Sequence, residues 1–122
     1  MVVESAVYKI LVCGGRDYNN YSTVKNVLDY YAKQYDLTII HGGARGADSL
    51  ATQWFEETKD CVLIICPAKW STYGKKAGPI RNQYMLETFK PDMVIAFPGG
   101  NGTAHMVKIA RNAGVKITEV YD

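Results

Sequence analysis

The sequence predicts an α/β protein in which helices cover both faces of a mostly parallel sheet of about five strands. Two observations lead to this prediction. Short apolar runs alternate along the chain with amphipathic stretches of helical spacing. Three of the apolar runs stop in glycine-rich turns, as strands do where a helix follows them. The length of 122 residues predicts a single domain, residues 1–122.

The first half of the chain contains two predicted strands, each followed by a glycine-rich turn and a helix. The first strand covers residues 8–12 and leads into the turn GGRD, residues 14–17. The helix after it has apolar residues at the spacing i, i+3, i+4, i+7: Val24, Val27, Leu28 and Tyr31. The second strand, residues 37–40, runs into the turn HGGARGAD, residues 41–48. The next helix has a predicted buried face of Leu50, Ala51, Trp54 and Phe55.

The second half begins with a third strand, residues 61–66, closed by Pro67. Residues 68–78 show neither helical nor strand spacing and mix basic residues with aromatic ones: Lys69, Lys75, Lys76, Trp70 and Tyr73. A segment of this length is expected to be a functional loop or a flexible one. Pro79 suits the first position of a helix, whose inner face is predicted at Ile80, Tyr84 and Met85.

The fourth strand, residues 93–97, leads into the motif around which the chain is organised. This motif is FPGGNGT, residues 97–103; a helix of residues 104–113 follows it, and then a fifth strand at 115–120. A helix that starts at such a turn presents unpaired backbone N–H groups and the positive end of its dipole, which suit phosphate. We therefore predict a phosphate site at Gly99, Gly100, Gly102 and the Thr103 hydroxyl. A tight turn without a ligand is the alternative interpretation.

All three glycine turns follow strands, so they are expected at one edge of the sheet, where the parallel strands end. Ligands of open α/β sheets bind at this edge, at the point where the strand order reverses. The first and fourth strands should flank that point, so that Gly14 and Gly99 face one another across a crevice. Gly15 and Gly43 belong to turns at the same edge and are also predicted to contact the ligand.

Charged and polar residues in or near these turns are candidates for ligand contacts. Arg16 and Arg81 are candidate phosphate partners because a guanidinium can bind phosphate through two hydrogen bonds. Arg45 lies in the second glycine turn, and for all three arginines a surface salt bridge is the alternative. Asp48 is a candidate for a ribose contact or a base, with a carboxylate at the helix start as the alternative. Asn82 is expected either to orient a ligand or to cap its helix.

The remaining aromatic residues, histidines and cysteines bear on base stacking, metal binding and disulfide formation. Trp70 and Tyr73 are candidates for stacking on a base, with core packing or a dimer contact as the alternative. His41 and His105 lack partners at metal-ligand spacing, so we predict no metal site and expect histidines satisfied by hydrogen bonds. The odd number of cysteines and the lack of a C-x-x-C pair predict reduced thiols in a cytoplasmic protein: Cys13, Cys61 and Cys66.

Charge and hydropathy argue against several classes of partner. The formal net charge of +2 is too small to indicate nucleic acid or a membrane surface by itself. Apolar runs are too short to cross a membrane, and residues 1–6 do not resemble a secretory signal. The sequence leaves open a homo-oligomer, and it also leaves open whether magnesium accompanies the ligand.

Four motifs of this chain, taken in their order, resemble the YspA-like branch of the SLOG superfamily. They are GGRD at residues 14–17, HGGARGAD at 41–48, AGPIRNQYM at 77–85 and PGGNGT at 98–103. The superfamily also includes the Lonely Guy cytokinin-activating enzymes and the DNA-processing protein A family. The resemblance covers residues 8–117 or so. It implies a Rossmann-like, three-layer fold and a nucleotide or nucleotide-derived ligand, such as a nucleoside phosphate or an ADP-ribose-like molecule.

The resemblance departs from the Lonely Guy enzymes at one position. Those enzymes split the N-glycosidic bond of a nucleoside monophosphate, and their glycine motif continues to a glutamate three residues after the threonine. In this chain that position holds Met106. A carboxylate for stabilising an oxocarbenium-like centre or activating water is therefore missing there, although Asp17 or Asp48 could replace it. The departure favours a sensor or sequestering protein.

Two other functions stay open at this point. One is a nucleotide-processing hydrolase of Lonely Guy type, with its catalytic residues unknown. The other is a DNA-binding module. The basic residues at 69, 75 and 76 support it, whereas the small net charge argues against it.

Overall fold

The computed structural model describes residues 6–122 and shows an α/β fold whose five described strands are all parallel. This confirms the predicted fold class. The strands are β1 (Val7–Cys13), β2 (Asp36–His41), β3 (Val62–Ile65), β4 (Met93–Ala96) and β5 (Lys116–Glu119). The helices are α1 (Tyr21–Ala32), α2 (Ala47–Thr58), α3 (Trp70–Tyr73), α4 (Ala77–Phe89) and α5 (Asn101–Asn112).

The sheet places β1 at its centre, in the order β3-β2-β1-β4-β5. In the register of the central pair, Ile10 lies beside Met93 and Cys13 beside Ala96. The chain moves outward from β1 through β2 to β3, and then crosses back to β4 on the other side. The order therefore reverses between β1 and β4, as predicted, and this is where open α/β sheets leave a crevice at their carboxyl edge.

Alternating residues of the strands divide the interior into two apolar layers. On one face, Ile10 and Val12 of β1 belong to a cluster with residues of α1 and α2: Val24, Leu28, Ala47, Ala51 and Trp54. On the other face, Leu11 packs with residues of α4 and α5: Met85, Leu86, Met106 and Ala110. The buried face predicted for α1 is confirmed, with Val27 and Tyr31 partly buried. In α2 the prediction holds for Leu50, Ala51 and Trp54, whereas Phe55 is half-buried outside the cluster. Each fully buried large apolar side chain stabilises the fold by roughly 1.5–3 kcal/mol.

The third strand differs from its prediction in length and in burial. It covers only Val62–Ile65 and forms the edge of the sheet, because it pairs only with β2 among the described strands. As a result, its terminal residues Val62 and Ile65 are 56% and 46% exposed. A continuous apolar run indicates a buried strand only where neighbours cover both faces and both edges.

Residues 68–78 are not the structureless loop that the sequence predicted. They contain the short helix α3, a 3-10 turn (Gly74–Lys76) and the start of α4, which begins at Ala77 and not at Pro79. The segment lacks an amphipathic period because its first two elements bury none of their residues. Apolar spacing reports a buried face, so a helical turn lying on the surface leaves no such signal.

The predicted inner face of α4 is wrong at two of its three residues. Met85 is buried, whereas Ile80 and Tyr84 are 41% and 54% exposed. The buried positions are instead Ala77, Asn82, Met85 and Leu86. The polar Asn82 belongs to this set because its side chain hydrogen-bonds to α5, which is a contact that hydropathy does not reveal.

Candidate functional site

A cleft of about 850 Å³ opens at the carboxyl edge of the sheet and is lined by the turns that follow β1 and β4. These turns touch one another, whereas the sequence predicted that Gly14 and Gly99 face each other across a crevice. Most residues that the sequence nominated line it: Gly14, Gly15, Arg16, Asp48, Arg81, Asn82, Gly99, Gly100, Gly102 and Thr103. Gly43 and Arg45 do not line it. They border a second, adjoining cleft of about 400 Å³. We call these the first and the second cleft.

The two glycine turns of the first cleft contact one another directly. The Gly15 N–H donates a hydrogen bond of 2.9 Å to the Pro98 carbonyl oxygen. A Cβ atom added to Gly99 would lie 2.6 Å from the Gly15 nitrogen and would also collide with the Thr103 hydroxyl. Gly99 is therefore required by the close approach of the two turns. Gly100 differs, because a Cβ there would meet no described atom within 4 Å.

The first turn of α5 supplies unpaired donors to the first cleft. Gly100 is the N-cap residue and provides no side-chain cap, and the Ala104 N–H is the first to bond back, to the Gly100 carbonyl at 3.0 Å. The N–H groups of Asn101, Gly102 and Thr103 have no acceptor within residues 6–122. These three residues line the cleft. Together with the helix dipole, they form a site suited to an anion.

The glycine turn after β2 is built differently, because its donors are used within the protein. Asp48 Oδ2 accepts the N–H groups of Gly42 and Ala44, both at 3.2 Å. The Gly43 N–H donates to His41 Nδ1 at 2.9 Å. The φ angle of Gly43 is +70°, so glycine is favoured there for conformational reasons. This turn offers no free N–H groups at residues 42–44, in contrast to the start of α5.

His41 is a buried histidine whose two ring nitrogens are both hydrogen-bonded, as predicted. Since Nδ1 accepts from Gly43, the Nε2–H donates to the Thr52 hydroxyl at 2.7 Å. Burial lowers the pKa of His41 to about 4, and the positive charge of Arg81 contributes. The ring is therefore neutral at pH 7 and acts as a structural support of the turn.

Arg81 is held by backbone carbonyls as well as facing the clefts. Its Nη1 donates to the Gly42 carbonyl at 2.7 Å and to the Cys66 carbonyl at 3.4 Å. Its Nε donates to Asn82 Oδ1 at 3.1 Å. Burial lowers the pKa of the guanidinium. Nη2 has no acceptor within the described residues, so Arg81 fastens the turn after β2 and keeps donors for a ligand.

Asp48 is a nearly buried carboxyl group on the wall of the first cleft, 7% exposed. Burial raises its pKa to about 6, while the hydrogen bond from Ala44 and the charges of Arg81 and Arg16 act in the opposite direction. The group therefore exchanges a proton close to neutral pH. A carboxyl group of this kind, in a cleft, is a candidate general acid or base.

Asn82 connects α4 to the first turn of α5. Its Nδ2 lies 3.3 Å from the Gly102 carbonyl, to which it donates, and 3.1 Å from His105 Nδ1. The side chain is buried and its amide is satisfied by the protein. Asn82 thus connects α4 to the turn that carries the free N–H groups of α5 and does not cap its own helix. It also lines the first cleft, so its role in orienting a ligand stays a prediction.

Two exposed arginines lie on the rim of the clefts. The guanidinium of Arg16 lies over the ring of Trp70, 5.5 Å from its centre. Arg45 Nη2 lies 3.6 Å from Asp17 Oδ1, in a pair that is largely exposed on both sides. Arg16 and Trp70 line both clefts, whereas Tyr73 lines neither.

The residues that line the first cleft without having been nominated from the sequence include Cys13, Tyr18, Asn101 and His105. Cys13 and Tyr18 flank the first glycine turn, and this proximity was the available signal. Burial raises the pKa of Cys13 to about 12, so it is a protonated thiol and not a nucleophile. Tyr18 stacks on Phe97, with ring centres 5.5 Å apart.

Met106 occupies the core and not the cleft. It is fully buried, in the cluster that α4 and α5 form with the sheet. A carboxylate at this position would therefore enter an apolar environment in this chain.

Two further findings concern metals and membranes. In the part of the chain that the structure describes, His, Cys, Asp and Glu residues form no group of three or more that could hold a metal ion. None of the helices in residues 6–122 combines the length and the apolar composition that crossing a membrane requires.

Comparisons with known proteins agree with this architecture. Residues 8–73, more than half of the chain, match the model of the YspA, cpYpsA-related SLOG family. The chain is 34% identical to the gene 61 protein of Mycobacterium phage D29 over 122 residues, which cover 93% of this chain and 97% of that protein.

Two crystal structures of the C-terminal domain of a hydrogenase from Pyrococcus furiosus are similar in fold. For residues 83–215 of that protein, the TM-score is 0.60 at 17% identity, over 98% of this chain and 96% of the other. For residues 78–226 the TM-score is 0.59 at 15% identity, with 99% and 97% covered. By the family match and by the phage relative, the chain belongs to the YspA- and cpYpsA-related SLOG family.

Proposed function

We propose that this protein binds a nucleotide or a nucleotide-derived ligand in the first cleft and acts as a sensor or sequestering protein. The observation that carries the proposal is the set of three unpaired backbone N–H groups at the start of α5, in Asn101, Gly102 and Thr103. They line a cleft at the reversal point of the strand order. A phosphate group of the ligand accepts hydrogen bonds from them and from the Thr103 hydroxyl.

The size and lining of the first cleft support a ligand of this class. Its volume of about 850 Å³ lies in the range typical of sites for small molecules and cofactors. Arg16 and Lys75 bring positive charge to the same cleft, and Arg81 brings a partly buried guanidinium. The half-exposed ring of Trp70 offers a surface on which a base can stack. The phosphate and the base of a nucleotide thus each have a matching group.

Met106 favours binding over hydrolysis of Lonely Guy type. A hydrolase of that type requires a carboxylate three residues after Thr103, and here the position is an apolar core residue. The unpaired N–H groups and the basic side chains of the cleft do not depend on such a carboxylate.

Hydrolysis of the N-glycosidic bond is the second candidate function, and Asp48 is the observation that favours it. Its carboxyl group lines the first cleft and has a pKa of about 6, raised mainly by burial. A general acid or base works best with a pKa near the operating pH. Incubation of the protein with nucleoside monophosphates, followed by chromatography for free base, separates the two functions: release of base that Asp48→Asn abolishes would favour the hydrolase.

The nucleotide proposal is tested by identifying what the protein carries. Purified protein is denatured and its small molecules are examined by mass spectrometry, and titration calorimetry then compares nucleotides with their matching nucleosides. We expect a nucleotide to bind more tightly than its nucleoside by one to two decades, as is typical of a charge-assisted phosphate contact. Equal affinity for both would contradict a phosphate site at α5.

A further inference from the structure

We propose that the second cleft binds a second phosphate-type group of the same ligand, so that the ligand carries anionic groups at two separate positions. This inference rests on the proposed nucleotide site in the first cleft. It concerns the cleft of about 400 Å³ between the turn after β2 and the segment that follows β3.

The lining of the second cleft is positively charged. Arg16, Arg45 and Arg81 all border it, and no acidic residue is present among the described residues that line it. Asp17 pairs with Arg45 from outside the cleft, at 3.6 Å and with its side chain almost fully exposed, so it offsets little of this charge. Three guanidinium groups around one cleft favour a ligand group that carries two negative charges.

Each of these arginines keeps donors for a ligand. Arg16 lies over the Trp70 ring, 5.5 Å from its centre, and its guanidinium makes no ion pair within residues 6–122. Arg81 uses Nε and Nη1 within the protein, and Nη2 has no acceptor in residues 6–122. Arg45 has an ion pair longer than a hydrogen bond. The second cleft therefore combines positive charge with N–H donors that a ligand can use.

The turn at residues 42–44 does not provide backbone donors for an anion here. The N–H groups of Gly42 and Ala44 donate to Asp48, and that of Gly43 donates to His41. An anion beside this turn is consequently recognised by guanidinium groups. Their planar arrangement of donors matches two phosphate oxygens at once.

The two clefts adjoin one another, and the proposed ligand extends from one to the other. Arg16, Trp70 and Arg81 line each of them and form their common wall. Burial has the largest effect on the pKa of Arg81 and lowers it, the Asp48 carboxylate raises it, and the charge of Arg16 lowers it by less than Asp48 raises it. The two guanidinium groups therefore repel one another, and Asp48 compensates for part of this repulsion. A dianion between them removes this repulsion. A ligand with one phosphate at α5 and a second anionic group beyond the common wall satisfies both clefts.

The test is a titration of ¹⁵N-labelled full-length protein with inorganic phosphate, followed by NMR. We expect two sets of signals to shift and saturate: the backbone amides of residues 101–103, and the side-chain Nε–H signals of Arg45 and Arg81. Arg45→Gln changes a residue that lines the second cleft and not the first, and it should weaken the phosphate response of Arg81 about five-fold and leave that of residues 101–103 nearly unchanged. Arg111→Gln is the matched control, since Arg111 is similarly exposed and ion-paired, with Glu119, away from both clefts.

Each outcome decides between the two sites. A response confined to residues 101–103 would overturn the second site and leave the proposed function intact, whereas no response at either site would overturn both. An Arg45 response no stronger than that of Arg111 would show a general surface effect and contradict the proposal. Sodium acetate at equal ionic strength tests the class of anion, and a carboxylate that binds the second cleft as well as phosphate does would contradict the assignment to phosphate.

Discussion

Arg81 and Asp48 hold the same residue, Gly42, from opposite sides. Arg81 Nη1 donates to its carbonyl oxygen at 2.7 Å, and Asp48 Oδ2 accepts its N–H at 3.2 Å. A Cβ atom on Gly42 would collide with the guanidinium. The turn after β2 is therefore fixed between two opposite charges, both of which line the first cleft. Shape and charge of the cleft depend on the same pair.

The first prediction concerns the pH dependence of stability. The pKa of Asp48 is raised by burial from 3.8 to about 6, so the folded protein holds a proton that the unfolded chain releases. The contribution of Asp48 to stability is present below pH 4 and is lost as the pH rises to 6. His41 acts with the opposite sign, because its pKa is lowered to about 4 and its contribution is lost as the pH falls from 6.5.

Asp48→Asn separates these two effects. The variant cannot lose a proton at residue 48, so its free energy of unfolding minus that of the wild type should increase by roughly 2–2.5 kcal/mol between pH 4 and pH 7. Urea unfolding at several pH values measures this difference. Asp17→Asn removes the same charge from the surface and is the control. A difference for Asp48→Asn that stays constant across this range would show that the carboxyl group is not shifted.

The second prediction concerns Arg81. Arg81→Ala should lower the free energy of unfolding by about 1–3 kcal/mol, because the partly buried carbonyls of Gly42 and Cys66 lose their donor. It should also weaken the binding of a nucleotide more than that of its nucleoside, because the substitution removes Nη2, which in the wild type is free to bind a phosphate. Chemical denaturation and calorimetry measure the two effects. Equal weakening of nucleotide and nucleoside would mean that Arg81 only supports the turn.

Much of the fold could be predicted because its signals are local. The core residues of α1 and α2 repeat at helical spacing, and the glycine turns mark where strands end. The burial of Ile80 and Tyr84 was predicted wrongly because α4 is positioned by the bonds of Asn82 to α5, across 20 residues of sequence. Contacts at such separation leave no trace in local spacing.

It was easier to predict which residues lie at the site than to predict the role of each residue. The turns that end parallel strands must meet at one edge, so Gly14, Gly99 and Asp48 could be placed together from the order of the elements. Whether a turn keeps its N–H groups free depends on what packs beneath it. Gly43 and Gly102 look alike in sequence, yet the first donates to a buried histidine and the second has a free N–H group.

The third prediction tests the core position of Met106. Met106→Glu should destabilise the protein by about 3–5 kcal/mol or prevent folding, because an unpaired carboxylate would be buried among apolar side chains. Met106→Leu keeps the volume and should cost less than about 1.5 kcal/mol. Thermal unfolding of both variants measures the effect. A stable Met106→Glu protein that releases free base from nucleotides would reverse our preference for binding over hydrolysis.

The fourth prediction concerns the segment from Lys69 to Gly78 as a lid. Its helix α3 and the following turn bury none of their residues, so few contacts oppose their opening. We expect protease cleavage in this segment to slow when a nucleotide binds. Trp70 should also change its fluorescence, whereas the buried Trp54 should not, which makes Trp70→Phe the control. Unchanged cleavage with saturating nucleotide would count against a lid.

The last prediction tests the backbone donors of α5 one at a time. Asn101 is the first residue of the helix, a position where proline is well tolerated because its N–H has no partner within the helix. Asn101→Pro therefore deletes one proposed phosphate donor and retains the helix. Asn101→Ala deletes the side chain and keeps the donor, so the two variants differ in the N–H group under test. We expect Asn101→Pro to weaken a nucleotide by about one to two decades and Asn101→Ala to leave it nearly unchanged. The nucleoside should bind both variants alike, and circular dichroism should show the same helix content. If a folded Asn101→Pro protein binds the nucleotide as tightly as the alanine variant does, the phosphate does not lie at the start of α5.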